Sequence, residues 1–281
     1  MKTLIIGSNG MLGQEIKKVF KKEETICWDK NEIDITKAEE TNKKISDLKP
    51  ALIINCAAYN AVDKCEENPK VANEINGYAP DNLAKTARSL NIPLVHFSSG
   101  YVFDGEKNDG YKEDDEPNPI SKYAKSKLLG EQKIQKNTDE AYIIRTNLLF
   151  GQPALSSAGK KSFIEIMLNL AKEKDSIDAV SDEISNPTYA RDLAAAVFEL
   201  ITKKYPFGIY HLINNGSASW YDFAKEIFKI KNIDIEVKPV NSDKFPRPAK
   251  RPKNSSLINT KFPPLRNWQD ALREYLLTNV C

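Results

Sequence analysis

A tyrosine and a lysine four positions apart, Tyr123 and Lys127, are the side chains of this chain best placed to move a proton. Residues i and i+4 of a helix share a face, so the lysine ammonium is expected beside the phenol. A cation there favours the phenolate and lowers the phenol from its ordinary value near 10. A tyrosine tuned in this way can serve as a general acid near neutral pH. In a lysine-rich chain the spacing also arises by chance. Its place gives it meaning, because it opens a helix just before the fifth of a series of strand-like runs. Ser98 and Ser99 close the fourth run. Side chains at the carboxyl ends of parallel strands face the ligand crevice, so a hydroxyl there can hold a substrate carbonyl. Serines also end strands simply because they make turns.

A second group of residues suits an anion. Gly7, Gly10 and Gly13 follow directly on the apolar run Leu4-Ile5-Ile6. Glycine permits a tight turn and close approach of a pyrophosphate, and the unpaired N–H groups of a first helical turn point at the anion. The spacing Gly-x-x-Gly-x-x-Gly differs from the usual dinucleotide spelling Gly-x-Gly-x-x-Gly. Asp29 ends the second strand-like run, where an acid accepts hydrogen bonds from an adenosine ribose and favours NADH. The adjacent Lys30 could instead meet a 2′-phosphate, so NADH and NADPH both remain open as the cofactor. Asp34 and Ile35 follow in a turn that could flank the adenine.

The elements that must position these groups alternate. Strand-like runs span Thr3–Ile6, Thr25–Trp28, Ala51–Asn55, Pro93–Ser98 and Ala141–Arg145. Helix-like stretches lie between them at Met11–Lys22, Lys37–Leu48, Pro69–Leu90 and Ser121–Lys136. This order predicts an α/β fold, a Rossmann-type doubly wound parallel sheet covered on both faces. After Arg145 the texture changes. A loop rich in small residues runs from Gly151 to Lys161. Helices follow over Phe163–Lys172, Ala190–Ile201, Trp220–Lys229 and Asn267–Leu277, with strands over Gly208–Ile213 and Ile233–Val240. The expected division is a dinucleotide-binding domain over 1–150, to which 176–204 return. A smaller C-terminal α/β substrate-binding lobe takes 151–175 and 205–281.

Composition narrows the function classes. The chain has 281 residues, 41 basic and 39 acidic, with a net charge of +2, which gives no electrostatic case for nucleic acid. Its four cysteines, Cys27, Cys56, Cys65 and Cys281, form no Cys-x-x-Cys pair, and His96 and His211 stand far apart, so no metal site is expected. The cysteines read as free thiols of a reducing cytosol, and the protein as cytoplasmic. No apolar run approaches the roughly 18 residues that span a bilayer, and no secretory signal core precedes the first glycine. A homodimer is compatible with this reading.

Glycine loop, strand-end serine and Tyr-x-x-x-Lys helix together resemble the extended short-chain dehydrogenase/reductase family. The resemblance narrows at Phe97-Ser-Ser-Gly-Tyr-Val-Phe-Asp-Gly105, which is similar to the Ser-Thr-Asp-Tyr-Val-Phe-Asp-Gly signature of dTDP-4-dehydrorhamnose reductases. Asn55-Cys-Ala-Ala-Tyr-Asn-Ala-Val-Asp-Lys-Cys-Glu66, Asn186-Pro-Thr-Tyr-Ala-Arg-Asp-Leu-Ala194 and Arg251-Pro-Lys-Asn-Ser-Ser-Leu257 resemble it too, as does Gly208-Ile-Tyr-His-Leu with Trp220. The resemblance implies that Gly7, Gly10, Met11, Leu12 and Gly13 cradle the pyrophosphate, and that Cys56, Ala57, Ala58 and Tyr59 pass the riboses. It implies Ser99 as holder of the substrate carbonyl, Tyr123 as proton donor, and Lys127 as the residue that holds the nicotinamide ribose and tunes the tyrosine. Tyr101, Trp220, Arg251, Asn254 and Ser255 fall on the nucleotide-sugar side. For Trp220 a core aromatic, and for Arg251 a surface charge, are the alternatives.

Three positions depart from the family. Gly100 replaces an aspartate, Leu148 stands where tryptophan is frequent, and Ser162 where asparagine is common. The expected activity is NAD(P)H-dependent reduction of the C4 keto group of a nucleotide-linked 6-deoxysugar, best dTDP-4-dehydro-L-rhamnose. The rivals are a reductase of another keto sugar nucleotide and a non-catalytic binding subunit like that of methionine adenosyltransferase.

Overall fold

The computed structural model of the chain describes residues 1–155 and 162–278; the stretch 156–161 of the small-residue loop and Cys281 lie outside them. The first half alternates as its apolar runs predict. β1 (Thr3–Ile6), α1 (Met11–Val19), β2 (Thr25–Trp28), α2 (Ala38–Leu48) and β3 (Leu52–Asn55) come first. Two short helices follow, α3 (Val62–Glu67) and α4 (Pro69–Asn73). A π-helical turn over Glu74–Tyr78 then leads into α5 (Ala79–Leu90). β4 (Leu94–Ser99), α6 (Lys122–Asn137) and β5 (Ala141–Thr146) complete this half. The Pro69–Leu90 stretch, expected as one helix, is therefore three segments. One inserted residue widens the turn without disturbing the apolar spacing on either side of it.

The second half holds β6 (Leu149–Phe150), α7 (Phe163–Leu170), β7 (Ser176–Val180), β8 (Ile184–Ser185), β9 (Thr188–Tyr189) and α8 (Ala190–Thr202). It continues through β10 (Gly208–His211), β11 (Ala218–Ser219), α9 (Trp220–Lys231), β12 (Glu236–Val240) and α10 (Trp268–Thr278).

Six strands form one parallel sheet in the order β10-β5-β4-β3-β1-β2. The order reverses between β1 and β3, and their carboxyl ends open the crevice where such sheets bind ligands. One face buries Ile5, Ile54, Val95 and Ile144 beneath α1 and α8. The other buries Leu4, Ile6, Ile53 and Leu94 beneath α2, α5 and α6. A separate aromatic-rich core under α7, α9 and α10 holds the lobe together.

Two strands redraw the expected division of the chain. β10, assigned by sequence to the lobe, adds the sixth strand of the main sheet on β5. β7, assigned to the dinucleotide-binding domain, pairs instead with β12 in a two-stranded sheet of the lobe. A run such as Gly208-Ile-Tyr-His211 carries the same alternation whichever sheet it joins, so its partner is not written in it.

Candidate active site

A cavity of about 530 Å³ lies across the carboxyl ends of β1, β3, β4 and β5 and reaches the lobe. That volume suits a cofactor-sized or substrate-sized molecule. Gly10, Met11, Leu12 and Gly13 line one side, Ser99, Tyr123 and Lys127 the floor, and Trp220, Arg251 and Ser255 the lobe side.

The glycine loop fits a dinucleotide. Gly7 has φ +78°, and a Cβ on it would lie 2.7 Å from the backbone nitrogen of Ala57. A Cβ on Gly13 would lie 2.2 Å from the Gly7 carbonyl oxygen. No side chain caps α1 at Gly10, so its first turn keeps N–H groups for an anion.

Tyr123 stands one residue inside α6, whose N-cap Ser121 accepts a hydrogen bond from the Ala124 N–H at 3.2 Å. The phenol is buried, lies edge-on to Tyr101 and donates weakly to Asn60 Oδ1 at 3.5 Å. Burial pushes its pKa up, and a hydrogen bond with Ser99 partly opposes this. The expected lowering by Lys127 is therefore not found. Lys127 is itself buried, and its Nζ donates to the Phe97 carbonyl at 2.6 Å. Burial pushes the ammonium down to about 8, against an opposing field from Glu131. Burial thus holds the tyrosine protonated, as a proton donor must be. Ser99 accepts from the Tyr101 N–H at 3.2 Å and lines the same floor.

The lobe side carries two guanidinium groups. Arg251 forms a two-pronged pair with Asp63 of α3, with Nη2 donating to Oδ2 at 2.7 Å. Arg247 pairs in the same manner with Glu183. Trp220 packs on Phe163 at 4.7 Å between ring centres and also lines the cavity, so it serves core and pocket together.

Several predicted residues do other work. Asp29 accepts from Ser8 Oγ at 2.6 Å and from the Asn9 N–H at 3.1 Å, which ties the end of β2 to the glycine loop. It does not line the cavity, and neither does the exposed Lys30. Asp34 closes its own turn by accepting from the N–H and hydroxyl of Thr36. Ile35 is buried with Leu4 and Ile6 in the core on their face of the sheet. Asn254 donates to the carbonyls of Lys107 and Asn108 and accepts from Ser256, so its side chain is engaged in holding its own loop. Cys56 and Ala58 line the cavity, whereas Ala57 and Tyr59 do not.

Ser98, read with Ser99 as a strand-end hydroxyl, and several residues that the sequence did not single out also belong to the site. Ser98 and Thr146 are buried, line the cavity, and have side-chain oxygens without a hydrogen-bond partner. Asn76, inside the π turn, accepts from the Tyr59 N–H at 2.8 Å and donates to the Tyr59 carbonyl at 3.1 Å and Ser126 Oγ at 3.0 Å. Ser126 Oγ donates in turn to the Tyr123 carbonyl at 2.7 Å. Asn76 therefore joins the loop after β3 to the helix that carries Tyr123 and Lys127. Among the described residues no cluster of His, Cys, Asp and Glu is suited to a metal ion, and no helix is long and apolar enough to cross a membrane.

A six-stranded parallel sheet with a glycine loop at its switch point, and Ser, Tyr and Lys at the ends of β4 and α6, defines an extended short-chain dehydrogenase/reductase. Within that class the chain belongs to the dTDP-4-dehydrorhamnose reductase family: the family model described as RmlD substrate binding domain matches residues 1–280. The spore coat polysaccharide biosynthesis protein SpsK of Bacillus subtilis is 35% identical over 98% of this chain and 96% of its own length. The crystal structure of a dTDP-4-dehydrorhamnose reductase from Clostridium acetobutylicum is 42% identical, covers 99% of both chains and superposes with a TM-score of 0.93. That of the Bacillus anthracis dTDP-4-dehydrorhamnose reductase in complex with NADP is 33% identical over 99% of both chains, also with a TM-score of 0.93.

Proposed function

We propose that the protein reduces the C4 keto group of a nucleotide-linked 6-deoxysugar with NADPH or NADH, and that the substrate is dTDP-4-dehydro-L-rhamnose. The carrying observation is the meeting in one cavity of the uncapped α1 terminus, the Ser99–Tyr123–Lys127 floor and the Trp220–Arg251 wall of the lobe. The relatives named dTDP-4-dehydrorhamnose reductase, one of them in complex with NADP, support the substrate and the cofactor.

A bound nicotinamide supplies the hydride. The chain's own part is orientation and proton transfer. Ser99 Oγ and the Tyr123 hydroxyl converge on the carbonyl oxygen and stabilise the negative charge that grows there. Tyr123, held protonated by burial, gives its proton to the developing alkoxide. Lys127, fixed to the Phe97 carbonyl at the floor, would hold the nicotinamide ribose and place a cation near that proton transfer. Arg247 and Arg251, on the lobe side of the cavity, would meet the diphosphate, and Trp220 would offer a flat surface to the sugar or base.

Purified protein mixed with dTDP-4-dehydro-L-rhamnose should oxidise NADPH or NADH, followed by absorbance in parallel reactions. Tyr123→Phe should fold and bind cofactor, and lose about 100-fold or more of turnover. Unchanged turnover in that variant would sink the mechanism. Tight cofactor binding with no oxidation by the wild type would point to a binding subunit. A different keto sugar nucleotide is kept as the second substrate reading, because Leu148 lines the cavity in place of the family's tryptophan.

A further inference from the structure

Gly100 and Asn147 explain each other. Gly100 follows Ser99 at the end of β4, and Asn147 follows Thr146 at the end of β5, and Ser99 and Thr146 are register partners. The Asn147 side chain is buried and accepts from the Gly100 N–H through Oδ1 at 3.2 Å. Its Nδ2 donates to the Ser255 carbonyl at 2.6 Å and reaches Asn186 Oδ1 at 3.5 Å. A Cβ on Gly100 would lie 2.5 Å from both Nδ2 and Oδ1 and 2.8 Å from Cγ of Asn147. Real Cβ atoms do not approach heavy atoms so closely, and a fully hydrogen-bonded, buried carboxamide is not a flexible tip that can swing aside. The following residue, Leu148, has φ +36°, a left-handed conformation that a branched side chain adopts only under constraint. Its carbonyl accepts from the Thr188 N–H at 3.1 Å, which anchors the turn that sets Asn147 beneath Gly100.

We propose that Asn147 is a positioning residue: its carboxamide ties the strand end that carries Ser99 to the Ser255 segment of the nucleotide-sugar wall, and position 100 lacks a side chain because that carboxamide fills the space. The kinetic part of this inference rests on the reductase reading above. Asn147 does not transfer a proton. It sets the distance between the hydroxyl that holds the keto oxygen and the wall that holds the rest of the substrate. The absence of a side chain at 100 is then one half of a paired arrangement, and its counterpart is the asparagine one residue beyond β5.

The test is a double-variant cycle with Gly100→Ala, Asn147→Ser and both together, read by thermal melting and by steady-state kinetics with dTDP-4-dehydro-L-rhamnose and NADPH. Gly100→Ala alone should lower kcat at least 10-fold and lower the melting temperature. In the Asn147→Ser background, where the carboxamide is gone, the same change should cost less than twofold in kcat and little in melting temperature. Asn147→Ser alone should lower kcat more than 5-fold while leaving NADPH affinity unchanged, since the asparagine acts on Ser99 and not on the cofactor loop. Equal effects of Gly100→Ala in both backgrounds would overturn the proposal. So would an Asn147→Ser protein that melts earlier with kcat unaltered, the mark of a merely structural residue. A wild type inactive on this substrate would fail the functional reading alone. The melting cycle would still decide whether Asn147 is what excludes a side chain at 100.

Discussion

Lys127 illustrates how a residue needed for chemistry can oppose folding. Its ammonium is buried with one carbonyl partner, and its pKa falls to about 8 from an ordinary value near 10.4. Below pH 8 the folded protein carries the full cost of burying the cation. Between about 8 and 10.4 the folded state has released that proton while the unfolded state still binds it, so stability rises with pH in this window. Lys127→Met should therefore be more stable than wild type at pH 7, by up to roughly 3 kcal/mol for a shift of this size. The advantage should shrink as pH climbs past 8. Urea midpoints of both proteins at several pH values test this, and a constant difference would mean that the lysine is not strained by burial. The same variant should lose about 100-fold or more of turnover. Asp29 is a second case. Its carboxylate binds Ser8 and Asn9 of the glycine loop, so Asp29→Ala should raise the dissociation constants of both NADH and NADPH several-fold. A larger loss for NADH, measured by fluorescence titration, would add ribose recognition to the loop role. An unchanged pair of constants would remove Asp29 from cofactor binding altogether.

At the scale of elements the π turn at Glu74–Tyr78 matters most, because it aims Asn76 inward to hold Tyr59 on one side and Ser126 of α6 on the other. Asn76→Ala would leave the N–H and carbonyl of Tyr59 without that partner, at about 1–3 kcal/mol for buried polar groups. The loop after β3 would then lose its hydrogen-bonded tie to the helix bearing Tyr123. Both a lower kcat and a raised KM for NADPH are expected, with an earlier melting transition. A variant with normal kinetics would show that the bridge only stabilises. The turn also marks where the sequence stops being legible. β1 to β5 stand where the apolar runs and Gly and Pro punctuation put them, and Tyr123, Lys127 and Ser99 meet because strand ends and helix faces follow from periodicity. The destination of an asparagine amide does not, and neither does the sheet that a four-residue strand such as β10 joins. Thr146 and Arg247 are not legible for the same reason, since their importance comes from what lies opposite them in space. Ser162 in place of the family's asparagine has a local account. It caps α7 in a reciprocal box with Glu165, a task at which serine and asparagine are nearly equal.

Across the whole molecule, buried neutral histidines tie stability to pH. His96 sits on the β3–β4 boundary with Nδ1 at 3.1 Å from Asn55, and burial, with Lys127 nearby, holds its pKa well below the ordinary value. His211 ends β10, with Nδ1 at 3.0 Å from the Ile258 carbonyl. Burial first, and then Arg145, push its pKa down to about 4, against the opposing charge of Glu113. Glu113 in turn accepts from the N–H groups of His211 and Thr260, and Arg145 is locked to Glu131 at 2.7 Å. These groups join the main sheet to the segment that leads from the cavity wall into α10, so a proton taken up here loosens both parts. An unfolded histidine binds its proton near pH 6.5. From there down to about 4 the unfolded chain holds protons that the folded chain refuses, so stability falls as pH falls, by roughly 3 kcal/mol for His211 alone. Below that, protonation of Glu113, whose folded pKa is lowered, removes more. His211→Asn can still donate toward the Ile258 carbonyl but cannot titrate. It should cost stability at pH 7 through lost packing and flatten the decline between pH 6.5 and 4. Chemical denaturation across that range decides the point: a slope in the variant as steep as in the wild type would place the acid sensitivity elsewhere in the molecule.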